Sequence, residues 1–477
     1  SSITAYNQSE NTNGYDVSAR LVPLDTPTLD IFNSQVEDIS QEFRVLSPRD
    51  RDFRWLAGVY YYNEEAGDGF DAGGTFDPSG TDPERAGLKR LYDSGDSVEN
   101  MAVFAMLEYD LTDRFTMTFE GRWQEDKITS TDEVIDDSLA GTGIRAPYEN
   151  EQEATFTEFL PRITARYALS NDMNLYGSVA KGNKPGGFND LPPESNFFDP
   201  DVYQEFVAQY NTFDEESVIS YELGLKGQSN RGRFGYNVAA YYLDWQDQQL
   251  TQSQPYQLAP TGTTGTTVPL IVNAGESEIK GIELELNGAP TDWLSYRLGY
   301  AWADAEFTDF YDENTEELLD TDGLPSSDPN DVDGPNGQVA GNKIPQTPEH
   351  MANASATLTF PIGTSAIDWF VRADYGYESK RYVQVHNLAW AGDSHLLNLR
   401  AGLTGDRWSV TVFYDNALDD DTPLVVTRLL DFTRPLLIPD PVRNFVFLQN
   451  RRLTFFRDFT IAAPRKPAFG MSVSYQF

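Results

Sequence analysis

The 477 residues contain no cysteine. Disulfide frameworks, thiol nucleophiles and cysteine-based metal centres are therefore excluded together. The absence is compatible with an oxidising compartment, where stray thiols are a hazard. Positive charge is scarce: 35 Lys and Arg stand against 75 Asp and Glu, giving a net charge of −40. Without clustered basic residues a phosphate backbone has nothing to bind, so no nucleic-acid partner is expected. No apolar run is long enough for a transmembrane helix, which needs about 18 residues or more. The three histidines, His350, His386 and His395, show no ligand spacing. Nucleophile motifs, phosphate loops and HExxH are all missing, and carboxylate pairs in so acidic a chain have no specificity for glycoside hydrolysis. No enzyme and no resident cofactor are expected. A signal peptide is missing too: the chain opens "SSITAYNQSE", already alternating. That start predicts a fragment or a processed product.

What the chain does contain is alternation. Hydrophobic content is 39% and mean hydropathy −0.49, which by themselves suggest soluble globular domains, but aromatics reach 13%, dominated by Tyr and Phe. "KGIELELNGAPTDWLSYRLGYAW" puts Ile282, Leu284 and Leu286, then Leu294, Tyr296, Leu298, Tyr300 and Trp302, on one face. Glu283, Glu285 and Arg297 lie opposite. Six further segments repeat the pattern, turning at 47–52, 112–113, 170–172, 230–233, 361–364 and 405–406. Period-2 alternation around tight polar turns is the signal of antiparallel hairpins. With a lone first strand (Ser1–Gln8) and a lone last one (Ala468–Phe477), seven hairpins give sixteen strands, both chain ends lying on the short-turn side. The connections at 63–99, 127–153, 184–215, 309–346 and 418–467 are long, acidic and rich in Gly, Pro, Ser and Thr. Short turns at one end and long loops at the other are the asymmetry of an outer-membrane barrel.

A large soluble sandwich or propeller would also alternate. Two features oppose it. The strands exceed the usual five or six residues of soluble sheets. Tyr109, Trp123, Tyr167, Trp293, Trp302, Trp369, Tyr377 and Trp408 fall near strand ends, where interfacial girdles belong. The predicted fold class is all-β, a transmembrane antiparallel β-barrel. The last strand, "AFGMSVSYQF", aligns Phe469, Met471, Val473, Tyr475 and Phe477 on one face. It resembles the terminal signal that the outer-membrane barrel assembly machinery reads.

Several segments carry a family resemblance. "AKGNKPGGFN" (180–189) looks like the "KGFKxGGFN" segment of TonB-dependent receptors. "VNAGESEIKGIELEL" (272–286) is similar to their "NAGxAxxKGxExE" strand. The stretches 39–62, "GNKIPQTPEH" (341–350) and "YDNALDDDTP" (414–423) follow in the family's order. As a set they resemble a TonB-dependent outer-membrane receptor over essentially the whole chain. The resemblance implies a barrel of about 22 strands closed around an N-terminal plug. It also implies an integral position in the outer membrane of a Gram-negative bacterium, amid lipid and lipopolysaccharide. The expected activity is import of a scarce nutrient (siderophore-iron, cobalamin or oligosaccharide), driven by TonB acting through the plug. The whole of 1–477 would be barrel, with plug and first strands absent. Truncation, a second chain supplying the remainder, and a plugless sixteen-stranded porin-like channel all satisfy this sequence. Truncation best explains a start in mid-strand.

Within that frame Glu120, Arg122, Arg162, Arg166, Glu283, Glu285, Arg297, Arg372 and Arg400 are expected to line the lumen. A polar lumen must pair its charges, so wall-to-wall or wall-to-plug ion pairs are their plainer role. Phe197, Phe198, Tyr203 and Tyr210 are ligand candidates, because aromatic faces suit sugar rings and planar chelators; loop packing would use the same residues. Asp322, Asp328, Asp331 and Asp333 crowd one loop and could hold calcium through hard oxygen ligands, although no EF-hand closing glutamate follows. A solvated acidic loop is their plainer reading.

Overall fold

The computed structural model describes all residues except 17–27, 76–88, 135–147, 192–198, 230–231, 258–264, 313–336, 440–450, 463 and 477. In chain order the elements begin with β1 (Ser2–Asp16), β2 (Thr28–Leu46), β3 (Phe53–Thr75), β4 (Lys89–Thr112), β5 (Phe115–Val134), β6 (Tyr148–Ser170) and β7 (Met173–Lys184). There follow β8 (Gly187–Phe188), α1 (Pro200–Tyr210), β9 (Thr212–Phe213), β10 (Glu216–Ser229), β11 (Phe234–Gln257), β12 (Gly265–Thr291) and β13 (Leu294–Phe310). The chain continues through β14 (His350–Pro361), β15 (Asp368–Glu378), β16 (Arg381–Tyr382), β17 (Trp390–Ala391), β18 (Ser394–Thr404) and β19 (Trp408–Asp415). It ends with β20 (Val426–Pro439), β21 (Arg451–Ile461) and β22 (Ala468–Tyr475).

Sixteen of these strands form a single antiparallel sheet in the order β1-β2-β3-β4-β5-β6-β7-β10-β11-β12-β13-β14-β15-β18-β19-β22. Among the described residues no pairing joins β1 to β22, so the sheet has two edges. All seven short turns fall where alternation places them. The register aligns Val103, Trp123 and Phe159 across β4, β5 and β6, and Leu298, Ala354 and Tyr375 across β13, β14 and β15. One-residue slips would invert a whole face, so the apolar row itself holds the register.

That row faces outward. Val103 and Phe159 are each 55% exposed and Leu223 59%, values that in a water-soluble sheet would mark a missing core. Trp293, Phe360 and Trp369 stack next to one another at the turn end, with ring centroids 5.5 and 5.0 Å apart. Nine residues beyond Trp293, on β13, stands Trp302. Strand rise and a tilt of about 45° convert that separation to about 20 Å of depth, near the height of an outer-membrane apolar band. The few buried apolar clusters lie at the opposite end from the short turns. One joins Phe206 and Leu270, the other Phe307, Phe310 and Val339.

The long connections differ from the sequence expectation. β1 runs eight residues past Gln8, and β3 to β6 continue as paired strands well into 63–99 and 127–153. Connection 418–467 contains the β20–β21 hairpin. In the extensions of β1 and of β3 to β6 polar residues occupy both faces, so the sequence has no apolar row to reveal the strand although the backbone ladder continues. β15 ends at Glu378, short of the stretch to Gln384 that alternation suggests. The helix α1 is a further correction, in a segment expected to be loop. Its start is encoded locally: the Asp199 carboxylate accepts from the Asp201 N–H, and Pro200 follows at the first helical position.

Candidate functional site

The face opposite the apolar row is polar along its whole width, and its charges are mostly engaged by one another. At the turn end Arg54 binds Glu108 through Nε (2.6 Å) and Asp110 through both Nη atoms (2.6 and 2.9 Å). Asp110 also accepts from the Thr116 hydroxyl, which in turn accepts from Arg166. Arg162 lies 3.6 Å from Glu120. Higher on the wall, Arg122 donates to Gln124 and Asn100 and lies over the Tyr60 ring, while Asn100 donates to the buried Asp126. On the other side of the sheet Arg372 grips Asp374, and Arg400 bridges Asp374 and Asp415. Among the described residues Glu285 and Arg297 have no side-chain hydrogen bond or ion pair, and Glu283 acts only through its charge on Tyr176 and Tyr241. The nine expected lining residues thus divide into six that hold the wall and three that remain available. Arg54, Asn100, Asp126, Asp374 and Asp415 complete the networks. They pass unnoticed in the sequence because only the register brings them beside their partners.

At the long-loop end the excursion between β7 and β10 is clipped onto the wall at two points. The Asn189 amide accepts from the Ile271 N–H and donates to the carbonyls of Ile271 and Tyr210, each at 2.8 Å. Asn273 does the same for the far end, accepting from the Asp214 N–H (2.7 Å) and donating to the carbonyls of Asp214 and Asp247. Each amide imitates a strand partner where none is available. Gly186 and Gly187 are required at the first clip. A Cβ on Gly186 would lie 2.2 Å from the Phe213 carbonyl oxygen, and one on Gly187 would lie 2.6 Å from the Phe213 ring. Thus "GNKPGGFN" and "VNAG" act together as a fastening. Asn183, Glu215 and Gln249 sit at its root, with Nδ2, Oε2 and Oε1 respectively buried and without a protein partner. Burial pushes the Glu215 carboxyl up, and the neighbouring Glu158 charge adds to it.

Of the aromatic ligand candidates, Tyr203 and Tyr210 are on α1 and pack against the buried pair Phe206 and Leu270. Phe197 and Phe198 lie outside the described residues, as do Asp322, Asp328, Asp331 and Asp333. No group of three metal-ligating side chains occurs among the described residues.

"YDNALDDDTP" forms a second fastening. Asn416 is 2% exposed with φ 50°, and it donates to the carbonyls of Asp420 and Arg465. The Asp420 carboxylate accepts from the N–H groups of His395 and Thr422. Burial alone would push that carboxyl up, but these donors outweigh it and hold it below the usual carboxylate range. Arg381, buried, donates to the carbonyls of Pro423 (2.7 Å) and Leu424 (2.6 Å). On the apolar face of the last strand, Phe469, Met471, Val473 and Tyr475 are all exposed; Phe477 lies outside the described residues.

This geometry offers a polar wall carrying a fastened outer superstructure, with no array of reacting groups among the described residues. The comparisons agree with it. The family described as TonB dependent receptor-like, beta-barrel matches residues 1–417. The pesticin receptor of Yersinia pestis is 24% identical over 324 residues, which is 68% of this chain and 39% of that receptor. A probable TonB-dependent siderophore receptor of Acinetobacter baumannii is 23% identical over 44% of this chain and 24% of its own length. In fold, the whole chain superimposes on 58% of the ferric yersiniabactin uptake receptor of Yersinia pestis, with a TM-score of 0.67 and 17% identity. The chain therefore spans well under two thirds of each relative. Such homologues are receptors and transporters, not enzymes, and the chain belongs to the TonB-dependent receptor β-barrel family.

Proposed function

We propose that this chain forms most of the wall of an outer-membrane receptor that imports a metal-chelating nutrient, of the ferric siderophore class, with energy from TonB. The observation that carries the reading is the pair of unpaired sheet edges, β1 and β22, on a sheet whose outer face is apolar. An unsatisfied backbone group in hydrocarbon costs several kcal/mol, so even the short edge of β22 could not face lipid. About six further strands would close the sheet at the family's 22 and leave a lumen wide enough for a plug. Glu283, Glu285 and Arg297, the wall charges left over from the networks, are the contacts offered to that plug. The substrate class is supported by the siderophore-receptor relatives. The porin-like alternative is less favoured, because closing sixteen strands needs the β1–β22 pairing that the described residues lack.

The test is uptake of radiolabelled iron supplied as different siderophores, in cells expressing the natural polypeptide with and without TonB. Saturable uptake of one chelate class that vanishes without TonB is expected. Uptake that persists without TonB and scales with solute size would overturn the proposal in favour of a passive channel.

A further inference from the structure

On the outward face β14 presents only alanine over five residues: Ala352, Ala354 and Ala356. Their neighbours are bulky. The register sets Tyr300, Leu298 and Tyr296 on one side and Tyr377, Tyr375 and Ala373 on the other. The result is a trough of about 340 Å³ running along the strand, floored by Ala354, Ala356 and Ala373 and walled by Tyr296, Leu298 and Tyr375.

The trough ends differently at its two extremities. Toward the short turns it meets the apolar stack of Trp293, Phe360 and Trp369. Toward the long loops it opens under a rim of rings and hydrogen-bonding groups. Tyr300 Oη bonds His350 Nδ1 at 3.0 Å, with the two rings stacked, and Tyr375 Oη bonds His395 Nδ1 at 2.8 Å. The Tyr377 ring lies 5.0 Å from that of His395. Trp302 donates to Glu349 at 3.2 Å. The phenols occupy Nδ1 of both imidazoles, which leaves Nε2 of each as its hydrogen-bonding atom. Beside them the carboxylates of Glu349 and Asp393 keep acceptor capacity beyond the bonds they already accept.

Resting on the membrane-spanning reading above, we infer that this trough and rim bind one glycolipid of the outer leaflet. A saturated acyl chain lies on the alanine floor between the tyrosine walls. The sugar head rests on the aromatic rim, its hydroxyls meeting interleaved donors and acceptors. Flat rings together with mixed donors and carboxylates match a sugar better than a bare phosphate, which would find Glu349 and Asp393 repulsive. The larger outward groove over Ala165, Gly177 and Ala240, about 600 Å³, has no imidazole rim and serves as an internal control.

The experiment is native mass spectrometry of the natural polypeptide extracted from outer membranes in mild detergent. Heat-modifiable gel migration is measured in parallel to report the folded barrel. Wild type is expected to retain one glycolipid under activation that strips phospholipid. Ala354→Phe with Ala356→Phe should lower that retention about tenfold, what burial of two fewer methylenes would cost. His350→Phe with His395→Leu should lower glycolipid but not phospholipid occupancy, and Ala240→Phe should change neither. A heat-modifiable wild type that holds glycolipid no better than phospholipid, or an Ala354/Ala356 variant that holds it unchanged, overturns this inference alone. A wild type without heat-modifiable migration would overturn the barrel reading as well.

Discussion

Single side chains carry the attachment of the outer excursion, and their chemistry explains the spelling of the motifs. Asn189 satisfies three backbone groups with one amide, and alanine there would strand all three at a site where the side chain is buried. The cost of stranding buried donors and acceptors is about 1–3 kcal/mol for each group that water cannot reach. Asn189→Ala should therefore leave the barrel folded while hydrogen exchange accelerates at Ile271 and through α1. Unchanged protection there would show that the excursion is held by the Phe206–Leu270 contact instead. Gly186→Ala should act on the same segment through another route, because its Cβ would strike the Phe213 carbonyl, which is backbone and cannot swing aside. Protease sensitivity between residues 185 and 215, read on otherwise intact barrels, should rise in that variant. Both residues stand in segments recognisable from the sequence. What they do was not legible, since their partners lie 82 and 27 residues away and are mostly backbone.

Among the elements, the connection after β19 depends on charge in a way that can be titrated. The Asp420 carboxyl lies below its ordinary range, so it contributes stability above the unfolded carboxylate value of about 3.9. That contribution is lost as pH falls through the lower folded value. Acid should therefore free segment 417–425 before the sheet melts, and limited proteolysis across a pH series on detergent-solubilised protein would detect it. Asp420→Asn should open the segment at neutral pH and remove the acid dependence; an acid-induced opening that survives in this variant would place the switch elsewhere. Legibility divides along the same line. Strands crossing the apolar band announce themselves, since Val103, Trp123 and Phe159 fall in alternating apolar rows on one exposed face. Their extensions beyond the band, such as Glu125–Val134 against Tyr148–Thr157, carry polar residues on both faces and read as loop. α1 was encoded in Asp199-Pro200, a start signal masked by the aromatic residues around it.

For the whole molecule the decisive quantity is the distance between β1 and β22. If the sheet closes on itself, the two strands are neighbours about 5 Å apart; if about six strands intervene, roughly seven strand spacings separate them, on the order of 30 Å. These 477 residues contain no cysteine to compete with introduced ones, and any elsewhere in the natural polypeptide are first replaced by serine. Tyr6, which pairs with Ile39 in the row of Phe43 and Val59, and Val473 both lie on the apolar outward face and are 59% and 64% exposed. Tyr6→Cys and Val473→Cys, placed together in the natural polypeptide and expressed in an oxidising periplasm, can bridge only if their Cα atoms come within about 7 Å. The expected result is that no intramolecular disulfide forms, whereas a control pair at Val412 and Met471, which face each other across β19 and β22, cross-links readily. Shifting the first cysteine along the same face of β1 to Thr4 and Ser2 guards against a register mismatch in the closed alternative. A bridge at any of these positions would mean a sixteen-stranded closed wall, too narrow for a plug of the family's kind, and the receptor would have to be read as a pore.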